Sequence, residues 1–146
     1  MRKVIFLLII ILSFPTTLWA ADPIIGTWKL NVEKSTVPHK EYTEIYKEVG
    51  EDQIELTRFG IHGFGTKFNE KLTWPQQGGV VVLEGAEIGV ELFIKTGEWY
   101  GVYLTDGKWW ILHKVISEDG KTMYMTINRY DPQGNPIVEK GVFDRQ

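Results

Sequence analysis

The stretch GKWWILHKVISEDGKTMYMTINRYDPQGNPIVEKGVF, residues 107–143, holds three runs rich in aromatic and aliphatic residues, separated by SEDGK (117–121) and DPQGNP (131–136). Short apolar runs bounded by Gly, Pro, Asp and Asn read as β-strands joined by turns. Asp119-Gly120, like Asp106-Gly107 at the start of the stretch, supplies residues that tolerate the positive φ of tight hairpins, and Pro132 suits the second position of a turn. Residues 107–143 therefore read as three consecutive antiparallel strands.

The same rhythm continues upstream. Breaks at GED (50–52), GIHGFG (60–65), PQQGG (75–79), GAEIG (85–89), TG (96–97) and TDG (105–107) divide the chain, at intervals of about 8–12 residues. Candidate strands begin near Ile24, Tyr42, Gln53, Thr66, Gly79, Gly89, Glu98, Lys108, Thr122 and Ile137. No stretch holds a sustained helical period, and VEKSTVPHK (32–40) is at most one short helical turn or an irregular lid. Hairpins with one apolar face must close on themselves or pack on a second sheet. Closure also removes exposed edges. The expected fold is all-β: a single up-and-down antiparallel β-barrel of about 8–10 strands.

The N-terminal MRKVIFLLIIILSFPTTLWAA begins with Arg2 and Lys3, continues through an apolar run from Val4 to Leu12, and passes Pro15 into small and polar residues. That is the layout of a secretory signal peptide. The apolar run is about half the roughly 20 residues a membrane-spanning helix needs. Cleavage after Ala20 divides the chain into a leader, 1–20, and a barrel domain, 21–146, with a periplasmic or secreted address and no stable membrane anchor once the leader is removed. Arg2 and Lys3 leave with the leader, so 14 of the 16 basic residues face all 19 acidic ones, a formal charge of −5. Nucleic acid or an anionic membrane would ask for the opposite sign. The chain has no cysteine, which excludes disulfides, thiolate metal sites and a cysteine nucleophile.

Period-two alternation assigns faces and, with them, candidate binding residues. Ile54, Leu56 and Arg58 share one face; Trp109, Ile111, His113 and Val115 share another; Met123, Met125, Ile127 and Arg129 share a third. If these faces point inward, Arg58, Trp109, Ile111, His113, Met123, Met125, Ile127 and Arg129 line the interior. An inward arginine keeps its proton and needs a carboxylate partner or an anionic ligand; Glu91, Glu98 and Glu139 are each candidate partners. His39 and His62 sit in loop contexts without a second ligand at short spacing, so no metal site is expected. The segment 97–114 concentrates Trp99, Tyr100, Tyr103, Trp109 and Trp110, and rings left outside a barrel would form a patch for a partner.

Gly26-Thr27-Trp28, at the start of the first strand, resembles the Gly-x-Trp signature of the lipocalin and fatty-acid-binding-protein group of up-and-down barrels. GTWKLNVEKS (26–35) and SEDGKTMYMTINRYDPQGNPIVEKGVFDRQ (117–146) are similar to exported bacterial lipocalin-like proteins of unassigned function. The resemblance implies that Trp28 plugs one end of the barrel with Gly26 beside it. It also implies a basic side chain, Arg129 or Arg145, lying across the indole. The pattern departs from the fatty-acid-binding proteins at their Arg-x-Tyr carboxylate pair, since Arg129 and Tyr130 are adjacent and face opposite sides of a strand. No fatty-acid site carries over by motif.

Three functions compete on these residues. The first is a monomeric barrel holding a small hydrophobic or amphipathic molecule, without a cofactor or catalytic residue. The second is an envelope interaction module whose interior is filled by side chains, marked by an outer aromatic patch around Trp99 or Trp110. The third is a small enzyme using His113 and a glutamate as general base.

Overall fold

The computed structural model describes residues 22–82, 88–95, 97–105 and 107–146; the leader expected over 1–20 lies outside the described residues. Among the described residues ten strands follow one another: β1 (Gly26–Leu30), β2 (His39–Glu48), β3 (Gln53–His62), β4 (Lys67–Pro75), β5 (Gly79–Val82), β6 (Ile88–Lys95), β7 (Glu98–Thr105), β8 (Lys108–Ile116), β9 (Thr122–Tyr130) and β10 (Pro136–Arg145). They form one antiparallel sheet in the order β4-β3-β2-β1-β10-β9-β8-β7-β6-β5. This is a meander joined to itself through β1 and β10. The sheet curls so that β4 and β5 approach one another with no ladder between them. Hairpin glycines Gly107 and Gly120 adopt positive φ, +71° and +68°. A one-turn 3-10 helix, Val32–Lys34, is the only helix among the described residues, and Asn31 caps it by accepting from the Lys34 N–H.

Alternation buries one face of the strands whose side chains are described. Tyr42, Glu44 and Tyr46 of β2, Ile54 and Leu56 of β3, Trp99 and Tyr103 of β7, Leu112 and Lys114 of β8, and Met123 and Met125 of β9 all point into the barrel. Because the strands run up and down, the connections after β1, β3, β7 and β9 share one end. Asp22, the first described residue, and the C-terminal Gln146 share the other end with the turns after β2, β6 and β8.

That second end is closed by Trp28. Its indole is fully buried and donates from Nε1 to the Ile24 carbonyl at 2.7 Å. Arg145, its direct partner on β10, lies over the ring with the guanidinium carbon 4.3 Å from the centroid. The Arg145 guanidinium also donates to three backbone carbonyls: Gly120 at 2.6 Å, Ile25 at 2.9 Å, and Pro23. Of the two arginines considered for this role, Arg145 occupies it and Arg129 does not. Gly26 has φ +142°, and a Cβ there would stand 2.8 Å from Arg145 Nη1, so the place a side chain would take belongs to the guanidinium.

Candidate ligand-binding site

Above this floor lies a buried polar network. Glu44 and Lys114 are 0% and 2% exposed. The Lys114 ammonium donates to both Glu44 oxygens at 2.9 Å and to the Tyr46 hydroxyl at 2.7 Å. Tyr42 and Tyr46 donate to the same carboxylate at 2.6 and 2.7 Å. Lys114 also sits 4.9 Å from the centroid of the Trp99 ring. Every ammonium proton has an acceptor, the condition under which a buried ion pair is tolerated.

Burial alone would raise the Glu44 carboxyl. The adjacent Lys114 charge and the hydrogen bonds from Tyr42, Lys114 and Tyr46 outweigh it and hold the group below the ordinary value of 4.5. Burial and the neighbouring Glu44 carboxylate push the Tyr42 hydroxyl well above 10.0, so it remains a donor. Folding lowers the Glu44 value, so its stabilising contribution is complete above about pH 4.5 and lost as the pH falls through the folded value. Urea stability followed from about pH 6 to about pH 3 is expected to drop below pH 4.5, with a flatter drop in Glu44→Gln.

The network floors a cavity of about 330 Å³. Phe68, Trp110, Leu112, Met125 and Ile127 form its apolar wall; Tyr42, Lys114, Arg58, Glu70, His39 and His62 supply its polar groups. A second chamber of about 360 Å³ adjoins it at the open end, sharing His39, Trp110 and Ile127 and adding Arg129, Glu139, Tyr130, Lys108, Trp109 and Pro38. Both arginines that line these chambers have a carboxylate. Arg58 Nε donates to Glu70 at 2.5 Å, and Arg129 is bidentate to Glu139 at 3.1 and 2.6 Å. Burial opposes the Arg58 charge, but the Tyr42, Glu70 and Tyr103 oxygens around it hold its pKa above the ordinary guanidinium value. At the rim, the rings of the cross-strand pair His39 and His62 stand 5.0 Å apart, and burial and His62 lower the His39 pKa. Among the described residues no three His, Asp or Glu side chains come together as a metal cage.

The sequence-derived residues divide between the two faces. Arg58, Met125 and Ile127 line the inner cavity, Arg129 lines the mouth chamber, and Met123 is buried beneath them with no exposure. Trp109, Ile111 and His113 face outward, which corrects the inward placement expected for that run. Trp109 is 59% exposed and touches only the mouth chamber, and Ile111 is 45% exposed. His113 stacks on Tyr100 with centroids 4.1 Å apart, its Nε2 3.2 Å from Glu98 Oε1, on the outside of the barrel. The reversal has a geometric cause. Direct cross-strand partners share a face, and Ile116 pairs with Met123, Lys114 with Met125 and Leu112 with Ile127. With six residues between Ile116 and Met123, odd-numbered residues inside on β9 require even-numbered ones inside on β8.

Trp99 and Trp110 are inside rather than on an outer patch: Trp99 is 2% exposed, and Trp110 stacks on Tyr103 at 4.1 Å. Of the candidate acidic partners, Glu139 takes Arg129, Glu98 takes His113, and the Glu91 side chain lies outside the described residues. Glu44, Lys114 and Glu70 were missed. The available signal was the spacing Tyr42-x-Glu44-x-Tyr46, which sets a carboxylate between two phenols on one strand face.

No protein-family model and no curated protein sequence matches the chain. Solved structures do. The fluorescent protein UnaG superposes with a TM-score of 0.63 at 14% identity, over 87% of this chain and 100% of that one. A Schistosoma mansoni fatty acid binding protein in complex with arachidonic acid gives 0.58 at 11% identity, over 85% and 96%. Secretory abundant heat soluble protein 4 from Ramazzottius varieornatus gives 0.59 at 15% identity, over 88% and 98%. These neighbours define the class of the fold: an antiparallel β-barrel like that of the fatty acid binding protein. At such identities it is the fold that is shared.

Proposed function

We propose that this chain is an exported, monomeric, lipocalin-like protein of bacterial type that carries one small, largely apolar or amphipathic molecule inside its barrel. The observation that carries the reading is the cavity itself: about 330 Å³, walled by Phe68, Trp110, Leu112, Met125 and Ile127, floored by a saturated polar network and open at one end. Its volume falls within the range of about 300–1,000 Å³ typical of small-ligand pockets. A fold neighbour solved in complex with arachidonic acid supports the same use of such a barrel.

A second reading has its own observation. Trp109, Ile111 and Val138, exposed by 59, 45 and 56%, gather on the outer face, where Asn128 separates Ile111 from Val138 in one cross-strand row. That patch suits a docking partner and would make the chain an interaction module.

Native mass spectrometry of protein purified gently from the exporting cell tests the first reading. The expected result is a chain beginning at Ala21 with a discrete excess mass that disappears on denaturation. A clean mass for residues 21–146, with no uptake from a panel of amphiphiles, would leave the interaction module.

A further inference from the structure

Four charged side chains alternate in sign from the centre of the barrel toward its mouth: Lys114, Glu44, Arg58 and Glu70. Glu44 and Arg58 are direct partners across β2 and β3, and Arg58 and Glu70 across β3 and β4. Glu44 is already committed, since Lys114, Tyr42 and Tyr46 fill its acceptor sites. Arg58 keeps its charge and takes its carboxylate from Glu70, by a contact from Nε. The four members are not equally fixed. Glu44 and Lys114 are 0% and 2% exposed and the Arg58 side chain 17%, whereas the Glu70 side chain is 47% exposed and borders the cavity. The row therefore ends in one carboxylate that can leave for water at small cost, beside a cation that cannot, against an apolar wall.

We propose that Glu70 holds the place of the ligand's head group in the empty protein. A molecule with one anionic oxygen group, such as a carboxylate, at the end of an apolar body exchanges that group for Glu70 on Arg58, and Glu70 turns outward to solvent. Glu70 is thus a specificity-determining residue. Ligands without a charge leave the Arg58–Glu70 pair in place, cationic ones gain nothing from Arg58, and anionic ones bind against an internal competitor that limits their affinity. The proposal rests on the reading of the cavity as a ligand site.

Calorimetric titration of the full mature protein at about pH 8 with decanoate and with 1-decanol separates the two ideas. Glu70→Gln removes the competitor's charge at a half-exposed position. It is expected to tighten decanoate binding roughly three- to tenfold and to leave decanol unchanged. Arg58→Gln is expected to abolish any preference of decanoate over decanol. Decanoate binding unchanged or weakened in Glu70→Gln, with decanol still bound, overturns the role of Glu70 and leaves the cavity reading standing. Failure of the wild-type protein to bind either compound overturns both.

Discussion

Lys114→Met is expected to lower folding stability by about 3–5 kcal/mol, because it strips the ammonium from a carboxylate that has no route to water. Glu44 is 0% exposed and lies at the centre of the barrel. Without Lys114 its remaining donors are the Tyr42 and Tyr46 hydroxyls, which satisfy lone pairs and leave the charge uncompensated. The carboxyl must then take up a proton on folding, so the acid-side loss of stability described above should disappear, and stability should instead fall as the pH rises above about 4.5. Adding Glu44→Gln should recover a large part of the deficit, a coupling that two independent contacts would not show. Urea denaturation of both single variants and the double variant measures this. A loss below about 1 kcal/mol in Lys114→Met would mean that the pair is not desolvated in solution.

Ile127→Trp is expected to abolish ligand uptake while sparing the fold. Ile127 borders both chambers and is only partly buried, so a larger side chain can grow into open space instead of into the packed floor. Overpacking a filled core costs about 1–3 kcal/mol; extension into a cavity should cost less. Decanol binding should fall by more than about tenfold, the equivalent of about 1.4 kcal/mol or more. The matching substitution on the outer face, Ile111→Trp, should change neither binding nor stability appreciably. If Ile111→Trp removes binding and Ile127→Trp does not, the ligand sits on the outer patch.

Turn chemistry made the meander legible: Asp-Gly pairs and Pro132 mark hairpins that the structure contains, and among the described residues ten strands follow at the expected spacing. Faces were legible where apolar residues stood on one parity alone, as with Met123, Met125, Ile127 and Arg129, which are all inside. They were not legible on β8, where both parities are apolar. Trp109, Ile111 and Val115 look more like a core face than Trp110, Leu112 and Lys114, because a lysine normally marks the wet side. The buried Lys114 inverts that rule only because Glu44, 70 residues earlier in the chain, faces it across the barrel. A long-range compensation of this kind leaves no trace in local periodicity. What could have revealed it is register. Once β9 is assigned, the even number of residues in the turn after Ile116 fixes the parity of β8. The Arg145 cap on Trp28 required tertiary information for the same reason, since Arg129 and Arg145 are equivalent as sequence.

A small amphiphile held within the barrel, as proposed above, would give intermolecular nuclear Overhauser effects between bound 1-decanol and methyl groups of the mature protein's interior. Contacts from the alkyl chain to the Met125, Ile127 and Leu112 methyls, with none to Ile111 or Val138, are the predicted result. Contacts confined to Ile111 and Val138, or no contacts at saturating decanol, would contradict it and identify the outer face as the working surface.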